Sequence, residues 1–360
     1  MANNIFTGAT SNQWDVSTNW SLGTVPTATD GHIAVFDATS PDCSLGSSNK
    51  VCNNLDTSAY TNTLSFGVRT LTVSGNIVIG GGTFSITTGT LAINASGSIT
   101  TNGFTIVRFQ FQGTSQTYTL VDDMNISTSL SLNATSGTLT VNDNNIYLSG
   151  DCSSSATGVQ GTTTLHFIGT GTWSATAGNG VRINTIINTA GTLTFGTAVR
   201  FTGATLTYIA GTVDTTTNNS NFVCGASSTT AILDVAGINF NLFSTSGNAI
   251  ITLLDDINIY TQFTSTGNVN INGSFNVNVY GNVTLGGSNP LNGTAKFRFT
   301  GVNPTWTAGT GILTMSADID CSGTFTMIGP SFCIMNGLLT YVSGDVTNTN
   351  DATLSYTTSN

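Results

Sequence analysis

The chain has 360 residues, a formal net charge of −10 and 7% charged residues, against about 25% in an average soluble domain. All seventeen acidic residues are aspartate, and Lys and Arg together number seven, so the residues that normally clothe exposed helices are missing. The same scarcity of basic residues argues against nucleic acid and against an anionic membrane surface as partners, and no run of about 18 apolar residues is present to cross a membrane.

Hydrophobic residues still reach 39% and recur in alternation, which argues for a folded chain rather than a disordered one. Residues 1–54 read as an N-terminal cap or attachment segment. The first residues lack the basic and apolar regions of a secretory signal. The segment holds Trp14 and Trp20, two of the four tryptophans, together with Pro26 and Pro41. Stacked coils need such a cap over the first open rung. Cys43 and Cys52 are spaced so that a disulfide is expected between them; the alternative is two buried thiols.

From residue 55 onward short strand patterns follow one another. Leu71 and Val73, Ile77 and Ile79, Phe84 and Ile86, then Leu91 and Ile93 alternate with Thr, Ser, Gly and Asn. Period two over short runs, broken by Gly and Asn, predicts strands joined by tight turns. Related segments begin near 55, 109, 165, 233 and 297, giving modules of 56–68 residues. Phe109-Gln-Phe111-Gln-Gly113 resembles Leu165-His-Phe167-Ile-Gly169, Leu233-Asp-Val235-Ala-Gly237 and Phe297-Arg-Phe299-Thr-Gly301. A longer repeat has an offset of 133 residues. Asp122-Asp123-Met-Asn125-Ile126 recurs as Asp255-Asp256-Ile-Asn258-Ile259, and Asn145-Ile-Tyr147 as Asn278-Val-Tyr280. Leu206-Thr-Tyr208 recurs as Leu339-Thr-Tyr341, and Trp173 falls on Trp306.

Nested repetition of this kind predicts an all-β, right-handed parallel β-helix, a β-solenoid, over 55–360, with coils of about 20 residues. Tandem β-sandwich domains are the alternative for a 133-residue period, and a closed barrel is a lesser one.

The opening Trp14…Asn19-Trp20…Gly23…Pro26…Asp30 is similar to the start of many large β-solenoid surface proteins of bacteria and their phages. Its continuation, Asp42-Cys43-Ser-Leu45…Val51-Cys52-Asn-Asn-Leu55-Asp56…Tyr60, resembles phage virion proteins. That resemblance covers about the first 100 residues. It implies a tail fibre, tailspike or capsid decoration at the virion surface or outside the cell. It further implies other virion proteins as partners, a homotrimer, and contact with host surface glycan.

Catalytic chemistry has few candidates. A glycan-cleaving solenoid needs two carboxyl groups in one groove. Asp122-Asp123 and Asp255-Asp256 are adjacent pairs, and adjacent strand residues point to opposite faces. They also recur with the repeat, which marks turn formers rather than a single active site; Asp318 and Asp320 add a third pair of acids. No Cys-x-x-Cys pair is present and the histidines, His32 and His166, are far apart, so no metal and no cofactor is expected. His166, between Leu165 and Phe167, is expected on an outer strand face. The chain is therefore expected not to be an enzyme. Tyr118, Trp173, Tyr208, Trp306 and Tyr341 recur beside Thr and Asn. Pointing outward they would form a glycan-contacting ladder; pointing inward they would stack in the core. A purely structural, ligand-free subunit is the second functional expectation, and a glycan-degrading tailspike the third.

Overall fold

The computed structural model describes residues 1–300 except 134–137, 156–157, 176–179, 226–228 and 287–290. Beyond 300 it describes the strand segments between 305 and 356, with side chains only at 305 and 307, and Leu291 is described by its backbone alone. The chain divides into two compact units, Met1–Thr172 and Trp173–Asn360. Each is a parallel β-solenoid, and almost no helix is present among the described residues. The strand pairings are parallel and link one coil to the next, which excludes the antiparallel sheets of a sandwich.

A coil has three sides. In the first unit, the first side stacks Ala2–Ile5, His32–Val35, Asn54–Thr57, Ile77–Ile79, Gly97–Thr100 and Thr117–Leu120. The second side begins with Cys43–Ser44, Thr63–Gly67 and Thr83–Ile86. The third stacks Lys50–Cys52, Thr70–Val73 and Thr90–Ile93, then the second halves of Thr105–Phe111 and Met124–Leu132. The second unit repeats this plan, with Thr230–Asp234 and Ile250–Leu253 on the first side. Its second side carries Asn276–Val279 and Lys296–Phe299, and its third Asn282–Leu285 and Thr305–Ala308.

Alternation decides which residues enter the core. Leu55, Ile77 and Ile99 stack in register and are fully or almost fully buried, as are Leu91, Phe109 and Leu130. Burying each such side chain contributes roughly 1.5–3 kcal/mol. In the second unit Phe195, Phe222, Phe240, Phe243, Phe263 and Phe297 line the interior as ring-on-ring contacts, with centroids 4.9–6.2 Å apart. Corners bring backbones into direct contact. A β-carbon on Gly281 would lie 2.1 Å from the carbonyl oxygen of Thr261 in the coil beneath, so only glycine turns there.

Residues 1–54 contribute the first rungs. Phe6, Trp14, Trp20, Phe36 and Tyr60 form one aromatic cluster with centroids 4.8–5.7 Å apart. The Asn-Trp pair has a specific use. The buried Asn19 amide oxygen accepts from the N–H groups of Thr10 and Ser11, both at 2.9 Å, and its nitrogen donates to the Gln13 carbonyl at 2.7 Å. Trp20 Nε1 donates to the Trp14 carbonyl at 2.7 Å. The 54/55 boundary falls inside the strand Asn54–Thr57, which already pairs with strands on both flanks.

One expectation is corrected here. Cys43 and Cys52 form no disulfide; both are buried free thiols. Cys43 pairs with Leu64 on the second side of the coil and Cys52 with Val73 on the third, so nearness in sequence does not bring them together in one ladder.

The repeats also acquire a structural meaning. The unit of stacking is a coil of about 20 to 22 residues, the separation of inter-coil hydrogen bonds such as Asp256 to Asn276 and Asn76 to Ser98. The module starts fall on different sides. Phe109 pairs with Leu91 and Leu130 on the third side, whereas Leu165 pairs with Ile146 on the second. Leu233 pairs with Leu253 on the first side, whereas Phe297 pairs with Val277 and Ile319 on the second. Leu206 and Leu339 likewise lie in different ladders, partnered by Leu233 and Ile319. All three sides need the same alternation and the same corner residues, so similar segments recur on any of them.

Candidate functional site

Of the five recurring aromatic residues, for which an outward ladder and an inward stack were both open, the two whose burial is complete point inward. Tyr118 and Trp173 are both 0% exposed. Tyr118 packs on Phe111 at 5.1 Å and donates its hydroxyl to the Gln112 carbonyl, and Trp173 lies edge-on to Phe195 at 5.5 Å. Their flanking residues explain this: Thr117 and Thr119, or Thr172 and Ser174, take the outward positions. Tyr208 is half-buried, and its hydroxyl donates to the Gly211 carbonyl at 2.6 Å. The side chains of Trp306 and Tyr341 lie outside the described residues.

Other aromatic residues do meet at the surface. In the first unit, Asn125, Tyr147 and His166 are register partners on the second side of successive coils. All three are half-buried, and Tyr147 and His166 stack with centroids 4.6 Å apart and planes 28° apart. Burial lowers the His166 pKa, and the nearby Asp123 carboxylate opposes that shift. The imidazole is therefore neutral at pH 7.

In the second unit, Tyr260 and Tyr280 are 50% and 38% exposed and stack with centroids 4.8 Å apart and planes 16° apart. Beside them runs an amide ladder: Asn258 Nδ2 donates to Asn239 Oδ1 at 3.3 Å, and Asn278 Nδ2 to Asn258 Oδ1 at 3.1 Å. On the other flank Gln262 Nε2 donates to Thr284 Oγ1 at 3.0 Å. The sequence contained a usable signal for these residues. Tyr147 sits between the buried Ile146 and Leu148, so parity alone places it outside. Tyr260 and Tyr280 follow buried Ile259 and Val279 at the ends of their strand halves.

The aspartate doublets bridge coils. Asp122 accepts from the N–H of Thr101 at 2.7 Å and from that of Asn102; Asp123 accepts from the N–H of Asn145 at 2.8 Å. Asp256 accepts from the N–H of Asn276 at 2.7 Å and from its amide at 3.0 Å. Asp42, Asp151, Asn49, Asn54 and Asn76 do the same for strands in the following coil. Asp255 differs: it hydrogen-bonds Asp234, and that bond, with partial burial and the neighbouring negative charge, raises the Asp234 pKa. Among the described residues no three His, Cys, Asp or Glu side chains come together to hold a metal ion.

Stacked parallel coils, neutral outer rows and paired outward aromatics define a β-solenoid whose surface offers planar rings, amides and hydroxyls. No family model, curated protein or solved structure matches this chain.

Proposed function

We propose that this protein is a bacteriophage virion structural protein, an appendage or capsid decoration, that contacts the host surface through glycan and performs no catalysis. The observation that carries this reading is the pairing of outward aromatic rings with amide rows on coils almost free of charge. Sugars are apolar on their ring faces and polar at their rims, so they associate with aromatic rings flanked by amides and hydroxyls. The aromatic-rich opening, similar to that of phage and bacterial solenoid proteins, supports a place on a virion or another extracellular surface. In this reading other virion proteins are its partners, and three copies assemble side by side.

Binding of the purified chain to an array of bacterial surface glycans tests the contact role; retention on one glycan class is expected. Absence of binding across the array overturns adhesion in favour of a ligand-free structural subunit. Reducing-sugar release from the bound glycan would instead establish a degrading tailspike. Light scattering is expected to give a trimer mass, and immunogold labelling is expected on intact virions.

A further inference from the structure

The core constrains only inward residues. At an outward position the core does not choose the side chain, so repeated outward identities reflect what the neighbouring coils or a ligand ask of the surface. Two consecutive coils of the second unit repeat them. Asn258-Ile-Tyr260-Thr-Gln262-Phe-Thr264 is followed 20 residues later by Asn278-Val-Tyr280-Gly-Asn282-Val-Thr284. The inward members, Ile259, Phe263, Val279 and Val283, are at most 2% exposed and vary freely in size. The outward members keep their chemistry: amide, tyrosine, amide, hydroxyl.

Register brings these repeats onto one another. Asn258 faces Asn278 on the second side, and Gln262 faces Asn282 and Thr264 faces Thr284 on the third. The two tyrosines stand at the corner between these sides, stacked at 4.8 Å. The amide ladder continues to Asn239 in the preceding coil, and the hydroxyl row runs from Ser244 through Thr264 and Thr284 to Thr307. The two repeated segments contain no charged residue.

We infer that this corner is a binding subsite for a neutral, unbranched polysaccharide lying along the stacking direction. The inference rests on the glycan-contact reading and assigns it a place and a ligand class. The rung spacing of about 4.8 Å is close to the length of one pyranose ring, so successive rungs present equivalent donors and acceptors to successive sugars. The outer edges of the stacked tyrosines give the apolar surface, and Asn258, Asn278, Gln262, Asn282, Thr264 and Thr284 give donors and acceptors to ring hydroxyls. Within the two repeated coils an acidic polymer would find no cation to offset the loss of its own hydration; the row meets one only in the next coil, at the exposed Arg298, the register partner of Asn278.

Affinity electrophoresis of the full chain tests this, using dextran, mannan, galactan and laminarin against alginate and dextran sulfate. The wild type is expected to be retarded by at least one neutral polymer and by neither acidic one. The double variant Tyr260→Ala/Tyr280→Ala is expected to lose at least ten-fold in affinity while keeping its circular dichroism and melting temperature. Tyr147→Ala, on the other aromatic pair, is expected to bind like wild type. If neutral binding survives in the tyrosine double variant, or is lost in Tyr147→Ala instead, the subsite is misplaced while adhesion stands. Preference for alginate or dextran sulfate overturns the ligand class alone. No binding to any polymer here or on the glycan array overturns adhesion and the subsite with it. Should the double variant fold poorly, Tyr260→Phe/Tyr280→Phe with Thr264→Ala/Thr284→Ala replaces it, and unchanged affinity there has the same consequence.

Discussion

Outward corner carboxylates such as Asp122, Asp123 and Asp256 accept from backbone N–H groups of a neighbouring coil. Asp122 serves two such groups, on Thr101 and Asn102. Asp122→Ala leaves them without that acceptor and is expected to cost about 1–3 kcal/mol, whereas Asp122→Asn keeps one acceptor oxygen and is expected to cost less than half of that; thermal melting of the two variants checks the order. Two other aspartates respond to pH in opposite senses. Asp214 accepts from the N–H groups of Thr216 and Thr217 and from both hydroxyls, the Thr217 hydroxyl being the largest influence, and its pKa is lowered to about 2. A lowered folded-state pKa stabilises above the unfolded value near ~3.9, and that contribution is lost as pH falls through about 2. Asp214→Asn is therefore expected to melt below wild type at pH 7 and to converge with it near that acid limit. Asp234 is raised by its bond to Asp255, so its contribution is present below the unfolded value and lost as pH rises through the folded one. Asp234→Asn is expected to gain on wild type between pH 4 and pH 7 in the same melts. The inward placement of Tyr118 was legible from Thr117 and Thr119 on either side of it. The meeting of Tyr260 with Tyr280 was not, because it depends on coil register, and register is set by corner lengths that no single strand reveals.

At the scale of the strand, alternation was enough to read the inward residues: Leu71, Val73, Ile77, Ile79 and Leu91 are all 0% exposed. The side of the coil on which a strand lies could not be read, because the three sides make identical demands. That is why Phe109 and Leu165 look alike yet belong to different ladders. It also explains the Cys43–Cys52 expectation: a nine-residue step turns a corner, and both thiols end up inward on separate sides. Among the described residues of the second unit, Phe222 is a meeting point of ring contacts. Phe222 touches Phe195, Phe201, Phe240 and Phe243, with centroids 4.9–6.5 Å away. Phe222→Ala is expected to cost about 3–5 kcal/mol, since neighbours held in backbone ladders collapse poorly onto the cavity. Phe222→Leu retains more of the contacts and is expected to fall between it and wild type in the same melting series.

At the scale of the whole chain, stability is a sum of coils and the contacts between adjacent coils. Free thiols sit at several heights in that sum. Cys43, Cys52 and Cys152 in the first unit are all inward. Burial pushes the Cys152 thiol pKa up to about 12, with Asp151 adding to the shift, and raises those of Cys43 and Cys52 as well. A thiol so placed reacts only when its own coil opens. Cys43 and Cys52 are accordingly expected to be alkylated in full after denaturation without reductant, because no disulfide links them. Leu130 is the direct register partner of Cys152 and is 1% exposed. Leu130→Ala removes about 2–5 kcal/mol of local packing. It is expected to speed the labelling of Cys152 by a thiol reagent under native conditions and to leave Cys43 and Cys52, several coils away, at their wild-type rates. Mass spectrometry of the labelled peptides resolves the three sites. Equal acceleration at all three would mean that the first unit opens as one cooperative body; acceleration confined to Cys152 means that each coil answers chiefly to its neighbours. The second outcome is expected here, because Leu130 pairs directly with Phe109 in the preceding coil and with Cys152 in the following one.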